Sequence, residues 1–249
     1  MRLLQVDQNG ELRLTSDLSD EDVSSYPYGI LSHTWGRDDE EVNFADLTKG
    51  SGKTKVGYNK LRFCEKQAAH DGLRYFWVDT CCIDKSSSAE LSEAITSMFR
   101  WYRRAARCYV YLSDVPTRNG NGTNVSSQSW ETAFRSSRWF RRGWTLQELL
   151  SPQLVSFFDS DRTRLGDKES LGQVLHEITK IPLRALRGAP LDEFSIEERM
   201  SWARNRETRR GEDKAYSLLG LFDVSMLPNY GEGIDKAFTR LQREIHDGG

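Results

Sequence analysis

Three groups of side chains in this sequence have types and spacings that suit chemistry. The first is Glu148, within Arg141-Arg-Gly-Trp-Thr-Leu-Gln-Glu148-Leu-Leu. Trp144 and Glu148 stand four residues apart and share a helical face, while Leu146, Leu149 and Leu150 are available for burial. A carboxylate beside an indole lies in a partly apolar place, which raises its pKa and suits acid or polar-stabiliser chemistry. A surface glutamate near a helix start, favoured there by the helix dipole, fits the same composition. The second group is His33, Trp35 and Asp79, which follow two apolar runs. In open parallel α/β sheets ligands bind at the carboxyl ends of strands, so these residues converge on one rim. Ordinary turn residues and a half-buried tryptophan would look the same. The third group is Cys81-Cys82, where one thiol with His33 as base would make a nucleophile. Buried structural cysteine is the commoner case.

Other apparent signals carry less. Gly52-Lys53-Thr54 suggests a phosphate-binding loop, but Leu47 stands where that loop needs glycine and no apolar strand precedes it. The arginines at 103, 104, 107, 138, 141 and 142 fit a solvated, ion-paired surface, with one or two, Arg142 among them, left to touch a nucleotide. None of Cys64, Cys81, Cys82 and Cys108 makes a CxxC pair. Vicinal cysteines do not clasp zinc in its usual spacing, so no metal and no disulfide is expected.

The elements that must position these groups follow from the hydrophobic pattern. Residues 28–33, 75–79, 108–112 and 154–158 read as strands. Helical spacing fills Tyr58 to Ala69 and the stretch after Ser87-Ser-Ala-Glu90, where Leu91, Ile95, Met98, Phe99 and Tyr102 share a face and the serine serves as an N-cap. Strands alternating with helices predict a mostly parallel sheet flanked by helices. Arg142 to Leu150 reads as a short helix, and Thr117 to Ser129, rich in Gly, Asn and Ser, as an exposed, mobile loop. From about Asp167 the pattern is helical, with a second capping box at Ser195-Ile-Glu-Glu198. The expected organisation is an α/β core over 1–166 and a helical C-terminal part over 167–249.

The bulk numbers set outer bounds. At 249 residues, 37% hydrophobic and 29% charged, the chain has an ordinary globular composition. A formal net charge of −2 gives no bulk reason to expect nucleic acid or an anionic membrane as partner. No apolar run approaches the ~20 residues of a membrane span. The charged start lacks a signal-peptide core, so a cytoplasmic location is expected, and the Asp247-Gly-Gly end has the character of a linker to further chain.

Several long motifs in order resemble the fungal heterokaryon-incompatibility (HET) domain. Tyr28-Gly-Ile-Leu-Ser-His-Thr-Trp-Gly36 looks like its first motif, Phe76-Trp-Val-Asp-Thr-Cys-Cys-Ile-Asp-Lys85 its second and Trp139-Phe-Arg-Arg-Gly-Trp-Thr-Leu-Gln-Glu-Leu149 its third. Lys214-Ala-Tyr-Ser-Leu-Leu-Gly-Leu-Phe222 and Tyr230-Gly-Glu-Gly233 resemble its C-terminal portion. The likeness is greatest to the N-terminal domain of HET–NACHT–WD-repeat incompatibility proteins. It implies a cell-death effector, self-association into oligomers, and NACHT and WD-repeat regions downstream. The HET domain is in turn similar to TIR domains, and Trp144-Thr-Leu-Gln-Glu148-Leu149 fits the TIR motif, with Thr145 where that motif has cysteine. By that likeness Glu148 is the catalytic residue of an NAD glycohydrolase, with NAD as substrate and no cofactor. His33, Trp35, Asp79, Trp144 and Arg142 would then bind substrate. The alternative is a non-catalytic, self-assembling module that recruits a death effector.

Overall fold

Tyr28–His33 is buried along its whole length, the mark of a strand covered on both faces. In the computed structural model, which describes residues 1–116 and 127–247, this strand is the centre of a seven-stranded sheet. The strands are β1 (Leu4–Val6), β2 (Leu12–Leu14), β3 (Tyr28–His33), β4 (Tyr75–Trp77), β5 (Arg107–Tyr111), β6 (Val155–Phe158) and β7 (Arg164–Asp167), in the spatial order β2-β1-β4-β3-β5-β6-β7. The inner four are parallel, with Ile30 opposite both Trp77 and Cys108, and Tyr111 opposite Phe158. They are the four expected strands, each within a residue or two of its expected limits. Antiparallel β1, β2 and β7 close the two edges and were not anticipated.

The helices are α1 (Asp20–Val23), α2 (Phe44–Thr48), α3 (Tyr58–His70), α4 (Asp79–Cys82), α5 (Ser88–Arg104), α6 (Ser127–Ser136) and α7 (Thr145–Leu150). Beyond β7 come α8 (Gly172–Thr179), α9 (Leu183–Leu186), α10 (Ile196–Ser201), α11 (Asp213–Tyr216) and α12 (Ile234–Asp247). Two caps match the sequence. Ser87 accepts from the Glu90 amide, and Ser195 with Glu198 forms the full reciprocal box. The Glu90 carboxylate, however, turns away to Arg2 and the Asp84 amide. Two expectations need correction. The stretch from Arg142 is not one helix: a 3-10 turn covers Arg138–Arg141, Arg142 is extended, and α7 starts at Thr145. The loop expected over 117–129 gives way to α6 at Ser127, because Trp130 and Phe134 are four apart and their rings pack edge to face. The rest of that loop, residues 117–126, lies outside the described residues.

Alternation along β3 decides which layer each residue meets. The Tyr28 hydroxyl donates to the Trp101 carbonyl in α5, and the Ser32 hydroxyl to Glu148 in α7. The odd positions face α3: a Cβ on Gly29 would sit 3.5 Å from Ala68, and His33 lies in the field of Lys60. The sheet is therefore covered by α3 on one face and by α5 and α7 on the other. Lys168, just past β7, runs back under α7, where its ammonium donates to the carbonyls of Leu149 (3.4 Å) and Pro152 (2.7 Å). Those bonds occupy carbonyls at the helix end that have no intrahelical donor.

Candidate functional site

Every residue of α7 is buried, so this six-residue helix has no solvent face. Glu148 is 7% exposed, which excludes the surface-glutamate alternative. The Trp139 indole, fully buried, donates to Ser32 Oγ at 2.8 Å, and Ser32 donates in turn to Glu148 Oε2. A carboxyl held by one hydroxyl in a dry place cannot easily carry its charge. Burial, with the Asp79 charge adding to it, outweighs Ser32, Arg142 and Arg206 and lifts the Glu148 pKa to about 8. The free site thus holds Glu148 mainly as the neutral acid at pH 7.

Trp35, Asp79 and Arg142 gather at the rim above it. The Trp35 indole donates to Asp79 Oδ2 at 2.9 Å. The Lys85 ammonium lies 3.7 Å from the Trp35 ring centroid and the Arg142 guanidinium carbon 5.5 Å from it. Asp79 opens α4 directly after β4 and adds to the field at both Glu148 and His33.

His33 joins this group only in part. Adjacent residues of a strand point to opposite faces, so Ser32 meets Glu148 while His33 turns to the α3 side. There its ring lies 3.7 Å from Glu41 Oε2 and 4.0 Å from Asp79 Oδ1, too far for hydrogen bonds. Its Nε2 is buried without a hydrogen-bond partner among the described residues, and burial lowers its pKa, so the imidazole is neutral. Glu41 pairs with the Lys60 ammonium and accepts from the Gly36 amide at 2.6 Å. Burial opposes ionisation of Glu41, but its partners more than compensate and hold its pKa low, at about 2.

Trp144 departs from its expected role. It occupies the N-cap position of α7 and faces Asp213 of α11, whereas Glu148 faces Ser32 across the sheet interface. The two side chains thus meet different elements, and the carboxyl is enclosed with Ser32, Trp139 and Tyr102. Cys81 is fully buried and its thiol is pushed well above its ordinary value, the reverse of an activated nucleophile. All four cysteines are buried and unpaired. Among the described residues no group of three or more His, Cys, Asp and Glu is placed to hold a metal ion.

Arg206 was missed in the sequence. It is 4% exposed, and its Nη1 donates to the Arg142 carbonyl and to Thr145 Oγ1, both at 2.9 Å. Burial lowers its pKa to about 10, with Glu148 opposing, so it stays a buried cation beside the acid. Its neighbours complete the clamp: the Gly143 amide donates to the Glu207 carbonyl at 2.8 Å, and Arg142 and Glu207 form an isolated parallel bridge. A Cβ at Gly143 would lie 2.5 Å from the Thr208 methyl, so only glycine allows this approach. Arg206 lies about sixty residues from its partners in an arginine-rich stretch, with no local pattern to mark it. Ser32 and Trp139 were visible within the motifs, but their pairing was not. A separate concavity of about 390 Å³ is lined by Arg135, Phe140, Arg141 and Ile178 among others, and does not include Glu148.

The geometry defines a mostly parallel α/β domain with an enclosed carboxyl under an aromatic and charged rim. Residues 28–124 match the family described as heterokaryon incompatibility protein (HET). The chain is also 55% identical over 247 residues to vegetative incompatibility protein HET-E-1 of Podospora anserina, a match covering 98% of this chain and 18% of that protein. The chain belongs to the heterokaryon-incompatibility family. It spans less than a fifth of the length of that relative, and Glu148 lies beyond the residues that the family model matches. No solved structure matches the chain. No helix among the described residues is long and apolar enough to cross a membrane.

Proposed function

We infer that this chain is the effector domain of an incompatibility protein and that it cleaves the nicotinamide–ribose bond of NAD when assembled. The observation that carries the reading is the enclosed Glu148, lifted to about 8 and joined through Ser32 to Trp139 at the carboxyl end of the central strand. The TIR likeness of Trp144 to Leu149 gives this acid its assignment, and its burial gives it a means.

In the reaction the C–N bond to the pyridinium breaks, nicotinamide leaves neutral, and positive charge develops on the ribose, as in glycoside hydrolysis. Water then bonds to the anomeric carbon and releases a proton. The pyridinium of the substrate above Glu148 favours its ionised form and draws its pKa down on binding. The carboxylate so formed faces the developing charge in a low dielectric and requires no reorganisation. Trp35 offers a stacking face, and Asp79 and Arg142 hold the ribose and its phosphates. His33, on the α3 side of the strand, has no direct part in this arrangement. Trp144 acts on substrate through the position of α7. NAD is substrate here, and no cofactor is needed. The remaining parts of the reading are self-association, a cytoplasmic site of action, and NACHT and WD-repeat regions in the longer protein.

The test is NAD consumption and cell killing by wild type and Glu148→Gln at equal expression and equal melting temperature. Loss of both in the folded variant supports the reading, and undiminished killing overturns it. One observation favours a second reading, a non-catalytic assembly module: Glu148 is only 7% exposed and carries little charge in the free state. Killing without NAD consumption by the wild type would establish that alternative.

A further inference from the structure

Lys85 and Arg142 are an unusual pair. Both cations approach the ring of Trp35, at 3.7 and 5.5 Å from its centroid, and each lies in the repulsive field of the other. Neither makes an ion pair within 4.0 Å among the described residues, which is common for cations of this chain, and what sets the two apart is the indole they share. Arg142 Nε is buried with no hydrogen-bond partner among the described residues, although a guanidinium has five donors to satisfy. Of the nearby acids, Asp79, bound by the Trp35 indole, acts on Lys85, Glu41 pairs with Lys60, and Glu148 is mainly protonated, so one carboxylate stands against the two cations. Arg206 adds a third cation below. In a chain of net charge −2 the rim over Trp35 is therefore locally positive. Cations that gather on one indole and outnumber the carboxylates around them are costly, and an anion would complete the set.

We propose that Lys85 and Arg142 form a phosphoryl-binding site over Trp35, which takes the pyrophosphate of a dinucleotide whose ribose reaches towards Glu148. The substrate-class part rests on the function proposed above; the anion site itself does not. Lys85 is exposed to solvent, so its cation beside Trp35 is open to a ligand. Arg142 offers a planar fork suited to two phosphate oxygens, and Lys85 a point charge. The Trp35 ring between them provides the surface on which the cations, and then the ligand, are arranged.

The experiment is titration of the 249-residue chain with inorganic pyrophosphate, read by calorimetry and by the indole N–H resonance of Trp35. Wild type and Glu148→Gln are expected to bind alike. Lys85→Gln and Arg142→Gln should each bind roughly ten-fold or more weakly, the effect of removing one charge-assisted hydrogen bond. Lys85→Arg keeps the charge and should retain binding, and Arg141→Gln, an exposed neighbour, should bind as wild type. Equal melting temperatures exclude unfolding as the cause. Absence of pyrophosphate binding by the wild type, or undiminished binding by folded Lys85→Gln, overturns the site. NAD cleavage lost in Glu148→Gln but with no pyrophosphate binding by the wild type would remove the anion site and leave the glycohydrolase reading. Pyrophosphate binding without any NAD cleavage would do the reverse.

Discussion

Glu148 is the residue on which most depends, and its burial makes it testable without any substrate. Its pKa is about 8 in the fold against an ordinary 4.5, so the folded state holds the proton more tightly than the unfolded state does. The stability it contributes is complete below pH 4.5 and is lost as pH rises towards 8. Within that window wild type should lose up to about 1.4 kcal/mol per pH unit from this group. Glu148→Gln lacks the group, so urea unfolding at several pH values should give a flatter curve, with the variant gaining on wild type as pH rises. Parallel curves would show that Glu148 is ionised throughout. His33, whose pKa burial lowers, is present in both proteins, and the comparison cancels it. Activity should run the other way. If the carboxylate is the working form, kcat/KM climbs with pH to a limb near 8, and kcat shows a lower limb because the bound cation favours ionisation. Glu148→Gln should cost about a hundred-fold or more in rate, the scale of one preorganised electrostatic interaction. Ser32→Ala breaks the bridge between Trp139 and Glu148 and orphans the buried indole donor. It should destabilise by about 1–3 kcal/mol and move the kcat/KM limb to higher pH.

At the scale of elements, α7 is short, fully buried and held from three sides: by β3 through Ser32, by Lys168 at its end, and by the 206–208 segment at its start. Gly143→Ala tests the last of these. The added methyl meets the Thr208 side chain at 2.5 Å, so either Thr208 rotates away or the bridge between Arg142 and Glu207 is strained. Destabilisation of about 1–3 kcal/mol is expected from such crowding, together with a fall in Glu148-dependent activity. Adding Thr208→Ser, which removes the offending methyl, should recover much of both; a double mutant no better than the single would mean that the glycine serves another purpose. The inner strands were legible because runs such as Tyr28 to His33 are apolar on both faces. Edge strands β1 and β2 have three residues each, and β7 reads Arg-Leu-Gly-Asp, too short and mixed for a period to show. The rim residues were legible because the strand ends place Trp35 and Asp79 together. The face taken by His33 is fixed by its adjacency to Ser32, a parity that the sequence contains but that a single shared rim overlooks. Arg206 and the partner of Trp144 come from the helical part, where side-chain partners depend on tertiary packing and leave no local trace.

For the whole molecule, the question is how an enclosed acid meets a substrate. The helical part and the sheet share one hydrophobic core, and Arg206 and Glu207 bind the two beside Glu148. Movement between them would therefore be felt at the carboxyl. An interface between copies of the chain that shifts α7 or the 206–208 segment by a small distance can expose Glu148, since packed elements switch between discrete arrangements. The chain is nearly neutral, so little long-range repulsion opposes self-association. Clustering raises effective concentration without any new interaction, so it should convert a weak association into a populated one. The expected result is little NAD turnover per molecule for dilute chain and a steep rise when copies are joined by an inducible dimeriser at the same total concentration. Glu148→Gln should stay inactive in both states. Turnover per molecule that is equal for dilute and clustered chain would place activation in the single copy. A clustered chain that kills cells with intracellular NAD unchanged would assign the death signal to the assembly itself.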